Sequence, residues 1–293
     1  MKLNSSNLFL CVAIGAASLA SAEDISDHSS TRHTLHFAPG APHTLEVQTI
    51  TGNITVEAYD GSDVEMIVNK SITADGADDL RDANREVVLN ITDNAATVGA
   101  IARYQDESSC GEKGPKGPKG EHWHWHEQHY DVRYDFTIRI PRDTRLELCT
   151  VNDGNISVTG TRGDFEIQGI NGRITMTDVA GAGEAKTING RVTASFVAAP
   201  NARSSFKTVN GDVVVSLPDQ LATDLRMKTF NGGLYTDFEV QPLPAARPVA
   251  VEKRDGMSVY KTNGFTSMRV GNGGPELTMD TLNGDVRVLR RAR

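Results

Sequence analysis

The sequence predicts an all-β protein, a parallel β-helix (a β-solenoid) with an irregular β-rich N-terminal cap. Three observations carry that prediction. Glycine keeps a beat, with Gly154, Gly163, Gly172, Gly181 and Gly190 falling every nine residues. Short alternating segments lie between these glycines, among them Ile156-Ser157-Val158, Phe165-Glu166-Ile167 and Ile174-Thr175-Met176, the period-2 pattern of half-buried strands. Alternate turns also share their residues. Thr150-Val151-Asn152-Asp153-Gly154 is followed by turns at Asn171-Gly172, Asn189-Gly190, Asn210-Gly211, Asn231-Gly232, Asn263-Gly264 and Asn283-Gly284. The asparagines are spaced 19, 18, 21, 21, 32 and 20 residues apart, and a period near 20 marks a repeat architecture.

Asn-Gly between alternating segments also suits an antiparallel meander. A meander gives alternate turns no reason to share Thr and Asn. Stacked parallel strands about 4.8 Å apart do, because like side chains then bond in ladders. The predicted ladder is Asn152, Asn171, Asn189, Asn210, Asn231, Asn263 and Asn283, with Gly supplying a left-handed corner conformation.

Taken in order, the chain opens with an address. Lys2 is followed by the apolar run Leu8–Ile14, and Ala20-Ser21-Ala22 precedes Glu23-Asp24. Residues 1–22 therefore read as a cleaved secretory signal, too short to span a bilayer at about 20 residues per crossing. The protein is expected in the periplasm or at the cell surface, and not as an integral membrane protein. Residues 23–140 read as the cap. Within it Thr51–Val56 resembles a degenerate first coil, Asp75–Glu86 has a helical pattern, and Tyr130–Ile140 alternates as a strand that Pro141 ends. Residues 141–293 form the solenoid, interrupted at 239–256 by a loop with three prolines, while Arg287, Arg290, Arg291 and Arg293 give a basic tail suited to protect its end.

Without the signal, two cysteines remain, Cys110 and Cys149. Export favours a disulfide between them, closing a loop worth ~3–4 kcal/mol; the alternative is two separate small hydrophobes. Beside Cys110 lies an insert at 110–129, with glycine at every third position and then His122-Trp123-His124-Trp125-His126-Glu127-Gln128-His129. In an extended chain His122, His124 and His126 share a face, a spacing that grips Zn²⁺ or Cu²⁺, with His129 as a further ligand. A solvated loop is the competing reading. Nothing else in the sequence calls for a cofactor.

The net charge of −8, from 30 Lys+Arg against 38 Asp+Glu, opposes the basic field that nucleic acid requires. G-x-S-x-G, H-E-x-x-H and Walker A motifs are absent from the sequence. Asp164, Asp212 and Asp285 flank glycine turns, so a stacked acidic column is conceivable, with turn-flanking solubility as the plainer reading.

The T-x-N-G-[DR]-[VI] units, the segment Asp135–Pro141 and the export signal together resemble a bacterial family of adhesin-like β-strand-repeat proteins. The resemblance is strong over about 141–290 and weak over 35–100. It implies a single-stranded parallel β-helix, right-handed and exported to the envelope, and brings no catalytic residues. The expected role is a non-catalytic, adhesin-like binding or structural scaffold for an unidentified envelope glycan or protein, able to self-associate end to end. A polysaccharide-acting β-helix enzyme and a periplasmic divalent-metal binder are the alternatives.

Overall fold

The computed structural model describes residues 24–104, 129–244, 250–254, 257–261 and 264–291. It is all-β, as expected, with a 10-stranded sheet, an 11-stranded sheet and a two-stranded ribbon. Among the described residues one helix is present, Ala77–Glu86, where the sequence pattern put it.

The chain passes repeatedly between the two large sheets. Arg145–Asn152, Phe165–Gly169, Gly183–Lys186 and Ser204–Lys207 are successive parallel neighbours in the 11-stranded sheet. The strands between them, Ile156–Thr159, Ile174–Val179, Val192–Phe196 and Val213–Leu217, line up in the 10-stranded sheet. Each pass adds a layer, and equivalent residues fall in columns: Ile156, Ile174, Val192 and Val213 are in mutual register. Thr44–Thr51 and Ile54–Tyr59 form a further layer against Arg145–Asn152 and Ile156–Thr159.

Alternation sends every second residue into the space between the sheets, where Leu148, Ile167, Phe206, Met279 and Met227 are fully buried. The columns are not uniform in size. Gly183 and Ala185 sit in one layer, and Phe165, Phe196 and Phe206 converge on it with ring centroids 5.8–6.4 Å apart. Tilted and edge-on pairs at that distance are favourable beyond their burial.

Both sheets are mixed and neither closes on itself. At the N-terminal end Ile25–His36 runs antiparallel to Asp63–Ala74, and that strand antiparallel to Tyr130–Pro141. Val87–Asp93 runs antiparallel to Thr97–Tyr104. At the other end the layers depart from chain order. The last pass, Glu276–Asn283 and Val286–Arg290, inserts between Ser204–Leu217 and the layer built by Thr223–Asn231 and Leu234–Thr236. The outer edge of Thr223–Met227 is covered instead by Thr266–Val270, antiparallel to it.

Two expectations are corrected here. The segment 239–256 is not a plain loop: Val240–Pro242 pairs with Thr266–Val270, and Ala250–Arg254 forms a ribbon with Met257–Lys261. The basic tail does not cap the stack, because Val286–Arg290 lies inside it; Arg287 pairs with Asp285 at 2.6 Å and Arg291 with Asp178 at 2.5 Å.

The corner glycines also act differently from expectation. Gly52, Gly211 and Gly284 have positive φ, but Gly154, Gly172 and Gly190 do not. What they share is contact. A Cβ on Gly172 would stand 1.8 Å from the Gly154 carbonyl oxygen, and one on Gly190 2.1 Å from that of Gly172. Neither atom belongs to a side chain that can swing away. Gly172→Ala is therefore expected to destabilise by ~3 kcal/mol or more, well above an ordinary surface substitution. Chemical denaturation should read this as a lowered midpoint, and an unchanged midpoint would refute the contact argument.

Candidate functional site: the stacked corner and its sheet face

The recurring T-x-N-G corner divides into columns, each with its own chemistry. The threonine hydroxyls point inward and donate to the glycine carbonyl one layer away: Thr150 to Gly52 at 3.1 Å, Thr187 to Gly172 at 3.0 Å, Thr208 to Gly190 and Thr281 to Gly211 at 2.8 Å, and Thr229 to Gly284 at 2.8 Å. These threonines are buried or half-buried, so the bond satisfies an acceptor that stacking removes from water.

The asparagines point outward and bond to one another. Asn171 Nδ2 donates to Asn152 Oδ1 at 3.4 Å, Asn189 to Asn171 at 2.8 Å, and Asn210 to Asn189 at 2.7 Å. Asn283 donates to Asn210 and Asn231 to Asn283, both at 2.7 Å. The ladder thus follows the layer order rather than the chain order. Asn263 lies outside the described residues. Thr51 takes the equivalent place beside Asn152.

A third column was not anticipated as a bonding element. It begins at Asp135, whose Oδ1 accepts the Asn53 N–H at 2.8 Å. Asn53 Oδ1 accepts from Asn155 N at 2.9 Å, and Asn155 Oδ1 from Arg173 N at 3.1 Å. Farther along, Asp212 Oδ1 accepts from Asp285 N at 3.0 Å, and Asp285 Oδ1 from Gly233 N at 2.9 Å. Asp164 belongs elsewhere, accepting the Ala182 N–H at 2.9 Å at the opposite turn. The imagined acidic column is therefore two sets of backbone caps. Its sequence signal was the Asn or Asp just after the corner glycine.

The outward face of the 11-stranded sheet carries charge in register. Glu46, Glu147, Glu166 and Glu184 are adjacent through successive layers. Like charges so placed repel, and each has local relief. Gln48 and Gln168 donate to Glu46 and Glu166 at 2.7 Å, and Arg145 to Glu147 at 3.0 Å. Burial pushes the Glu184 carboxyl up, but Lys207 at 2.8 Å and Lys186 at 3.5 Å outweigh it and hold its pKa below the usual range.

Beside these columns runs an apolar one, the variable residue of each T-x-N-G. Ile188 is 43% exposed, Val209 37%, Leu282 46% and Phe230 75%. Val151 and Ile170 continue the column and are half-buried.

The insert residues His122, His124, His126 and Cys110 lie outside the described residues. His129 is described, and its Nδ1 pairs with Asp75 at 2.9 Å. Among the described residues no three His, Cys, Asp or Glu side chains come together as a metal site, and no helix is long and apolar enough to cross a membrane. Cys149 is disulfide-bonded.

Asp285 supplies a pH test. The Gly233 N–H and then the Arg287 guanidinium stabilise its ionised form and hold its pKa below the ordinary carboxylate value. A depressed folded-state pKa gives stability that is present above the unfolded value and lost as pH falls through the folded one. Asp285→Asn keeps an acceptor oxygen but cannot titrate. Its unfolding midpoint should fall less than the wild type's between about pH 4 and pH 2. Parallel pH curves for the two proteins would show that Asp285 does not couple to folding.

No protein-family model matches the chain, and no curated protein does. Among solved structures it is similar to a candidate cell adhesion protein from Clostridium sporogenes, at 8% identity and a TM-score of 0.37, covering 90% of this chain and all of that one. It is also similar to a candidate adhesin from Bacteroides fragilis, at 10% identity and a TM-score of 0.33 over 90% and 97% of the two chains. A candidate lipid binding protein from Parabacteroides distasonis follows at 9% identity and a TM-score of 0.25, over 88% and 96%.

Proposed function

We propose that the protein is a non-catalytic β-solenoid exported to the bacterial envelope, in the periplasm or at the cell surface, where it serves as an adhesin-like binding or structural scaffold for a protein or glycan. The observation that carries this reading is the fate of the polar groups at the corner. Asp recurs there, a residue type that glycan-cleaving sites require in pairs. Yet the corner threonines and Asn or Asp caps described above are engaged with backbone of the next layer, and the asparagines with one another. A general acid or nucleophile must be able to gain and lose its proton or bond during turnover. A carboxylate fixed as a backbone cap in every layer it occupies suits architecture instead.

The solenoid assignment is supported by parallel registers that persist from Thr44–Thr51 to Thr223–Asn231 in one sheet. Export is supported by the A-x-A pattern before Glu23 and by the bonded state of Cys149, since lasting disulfides belong to oxidising compartments. In this reading the partner of Cys149 is Cys110.

Two measurements test the proposal. Incubation with a panel of envelope and extracellular glycans, with and without Ca²⁺, should give no turnover; turnover lost on replacing Asp212 or Asp285 would overturn the non-catalytic reading. Mass spectrometry of protein recovered from the envelope fraction should find an N-terminus at Glu23 and a Cys110–Cys149 linked peptide under non-reducing conditions. Protein retained in the cytosol with residues 1–22 intact would refute export.

A further inference from the structure

We propose that the Asn231–Gly232 peptide is a site of spontaneous covalent modification, where the glycine nitrogen attacks the asparagine side chain and converts Asn231 to aspartate and isoaspartate. The dipeptide that builds the corner is chemically suited to this reaction. In Asn-Gly the glycine nitrogen closes a five-membered ring on the asparagine Cγ, and with no Cβ beside it nothing shields the approach. The ladder repeats that dipeptide at Asn171-Gly172, Asn189-Gly190, Asn210-Gly211, Asn283-Gly284 and Asn231-Gly232. Stacking is what separates them.

For attack, the glycine N–H must be free to lose its proton and the asparagine side chain free to turn back on its own backbone. Four of these corners are denied both. The Gly172 N–H donates to the Asn189 carbonyl and Gly190 to Asn210, both at 2.9 Å, Gly211 to Asn283 at 2.8 Å and Gly284 to Asn231 at 2.9 Å. The side chains of Asn171, Asn189, Asn210 and Asn283 are held on both sides, each Nδ2 donating to one neighbour and each Oδ1 accepting from the other.

These bonds all run one way, each glycine donating to the asparagine of the next layer, so the last layer is left without an acceptor. Among the described residues the Gly232 N–H has no hydrogen-bond partner and Asn231 Oδ1 accepts no bond. Asn231 is held by one contact, from its Nδ2 to Asn283 at 2.7 Å. Gly232 is exposed, whereas Gly172, Gly190, Gly211 and Gly284 are half-buried. The other end of the ladder does not share the weakness, because Asn152 is followed by Asp153, whose Cβ crowds the nitrogen. Asn272-Gly273 lies off the ladder, in a turn whose Gly273 N–H donates to the Val270 carbonyl at 3.1 Å.

The reaction needs only water. The Gly232 nitrogen forms a bond to Asn231 Cγ, the Cγ–Nδ2 bond breaks, and Nδ2 leaves as ammonia with the proton that Gly232 gave up. Water then opens the cyclic imide at either carbonyl, its hydroxyl going to carbon and its other proton to nitrogen. One opening gives aspartate; the other gives isoaspartate, with an extra methylene in the main chain. Neither suits the ladder. An ionised carboxylate has no hydrogen to donate to Asn283 Oδ1, and a lengthened backbone falls out of register with Asn283. The modification therefore loosens the layer it strikes, whatever the scaffold binds.

Peptide mapping by mass spectrometry of the folded protein, held at mildly alkaline pH, should find Asn231 converted at least ~10-fold faster than Asn171, Asn189, Asn210 or Asn283. The same chain unfolded in urea should convert all of them at like rates, which ties the difference to stacking. Amide hydrogen exchange should separately show Gly232 exchanging at least ~10-fold faster than Gly172, Gly190, Gly211 and Gly284. Equal conversion along the ladder of the folded protein overturns the proposal, as does an Asn231 that keeps its amide while the unfolded chain reacts. A Gly232 amide as protected as that of Gly190 overturns it too. So does an unfolded chain in which Asn231 leads by the same factor, since local sequence would then explain the preference.

Discussion

The rest of the structure depends on how closely the backbone passes itself at the T-x-N-G corner. A Cβ built on Gly154, Gly172, Gly190, Gly211, Gly284 or Gly232 would lie between 1.8 and 2.2 Å from the carbonyl oxygen of the glycine in the adjoining layer. Only a hydrogen fits. That approach lets the Gly172 N–H donate to the Asn189 carbonyl at 2.9 Å, and the Gly211 N–H to the Asn283 carbonyl at 2.8 Å. It also leaves glycine carbonyls facing inward, where an unmet acceptor would cost ~1–3 kcal/mol. A threonine hydroxyl one layer away meets that need at Gly52, Gly172, Gly190, Gly211 and Gly284. Gly, Thr and Asn therefore recur together because the first creates contacts that the other two complete.

The same spacing explains the composition of the interior. Two sheets held by tight corners leave a thin space, filled mainly by Val, Ile, Leu and Ala. Three large rings gather where one layer yields room. Gly183 and Ala185 yield it, and Phe165, Phe196 and Phe206 take it, buried almost completely. A Cβ on Gly183 would stand 1.8 Å from the Phe165 carbonyl oxygen and 3.0 Å from its ring. Small and large residues in neighbouring layers are thus one packing decision, and 9 Phe in 293 residues suffice.

Periodicity made the strands, the helix at Ala77–Glu86 and the inward face of Tyr130–Pro141 legible. These depend on residues close in sequence, and alternation records which face each presents. The outward asparagines were legible for a similar reason, since a repeated polar residue at a turn implies a repeated neighbour. The Asp and Asn caps were harder to see. Asn53, Asn155, Asp212 and Asp285 follow a glycine but are interrupted by Arg173 and Arg191, so the column is visible only when layers are counted in space. The apolar column hid in plain view, because Ile188 or Leu282 beside Asn-Gly reads as strand core until its exposure is known. The ribbon at 250–261 escaped because three nearby prolines spoke for a loop.

The order of the last layers is the feature least accessible to sequence, and the cap column supplies its physical reason. Layers that share T-x-N-G are nearly interchangeable as neighbours, so local pattern cannot say which one lies on which. The residue after the corner glycine can. In the layer of Thr223–Thr236 that place holds Gly233, which accepts no bond through a side chain. Stacked in chain order, Asp212 would cap Gly233, and Gly233 would leave the Asp285 N–H without its cap. With the last pass inserted, Asp212 caps Asp285 at 3.0 Å and Asp285 caps Gly233 at 2.9 Å. Both N–H groups are met, and the residue unable to pass a bond onward stands in the final layer of its sheet. The inserted order thus meets one more backbone N–H through a carboxylate than chain order would. The chain therefore breaks its own sequence order where one missing side chain would leave that order a cap short.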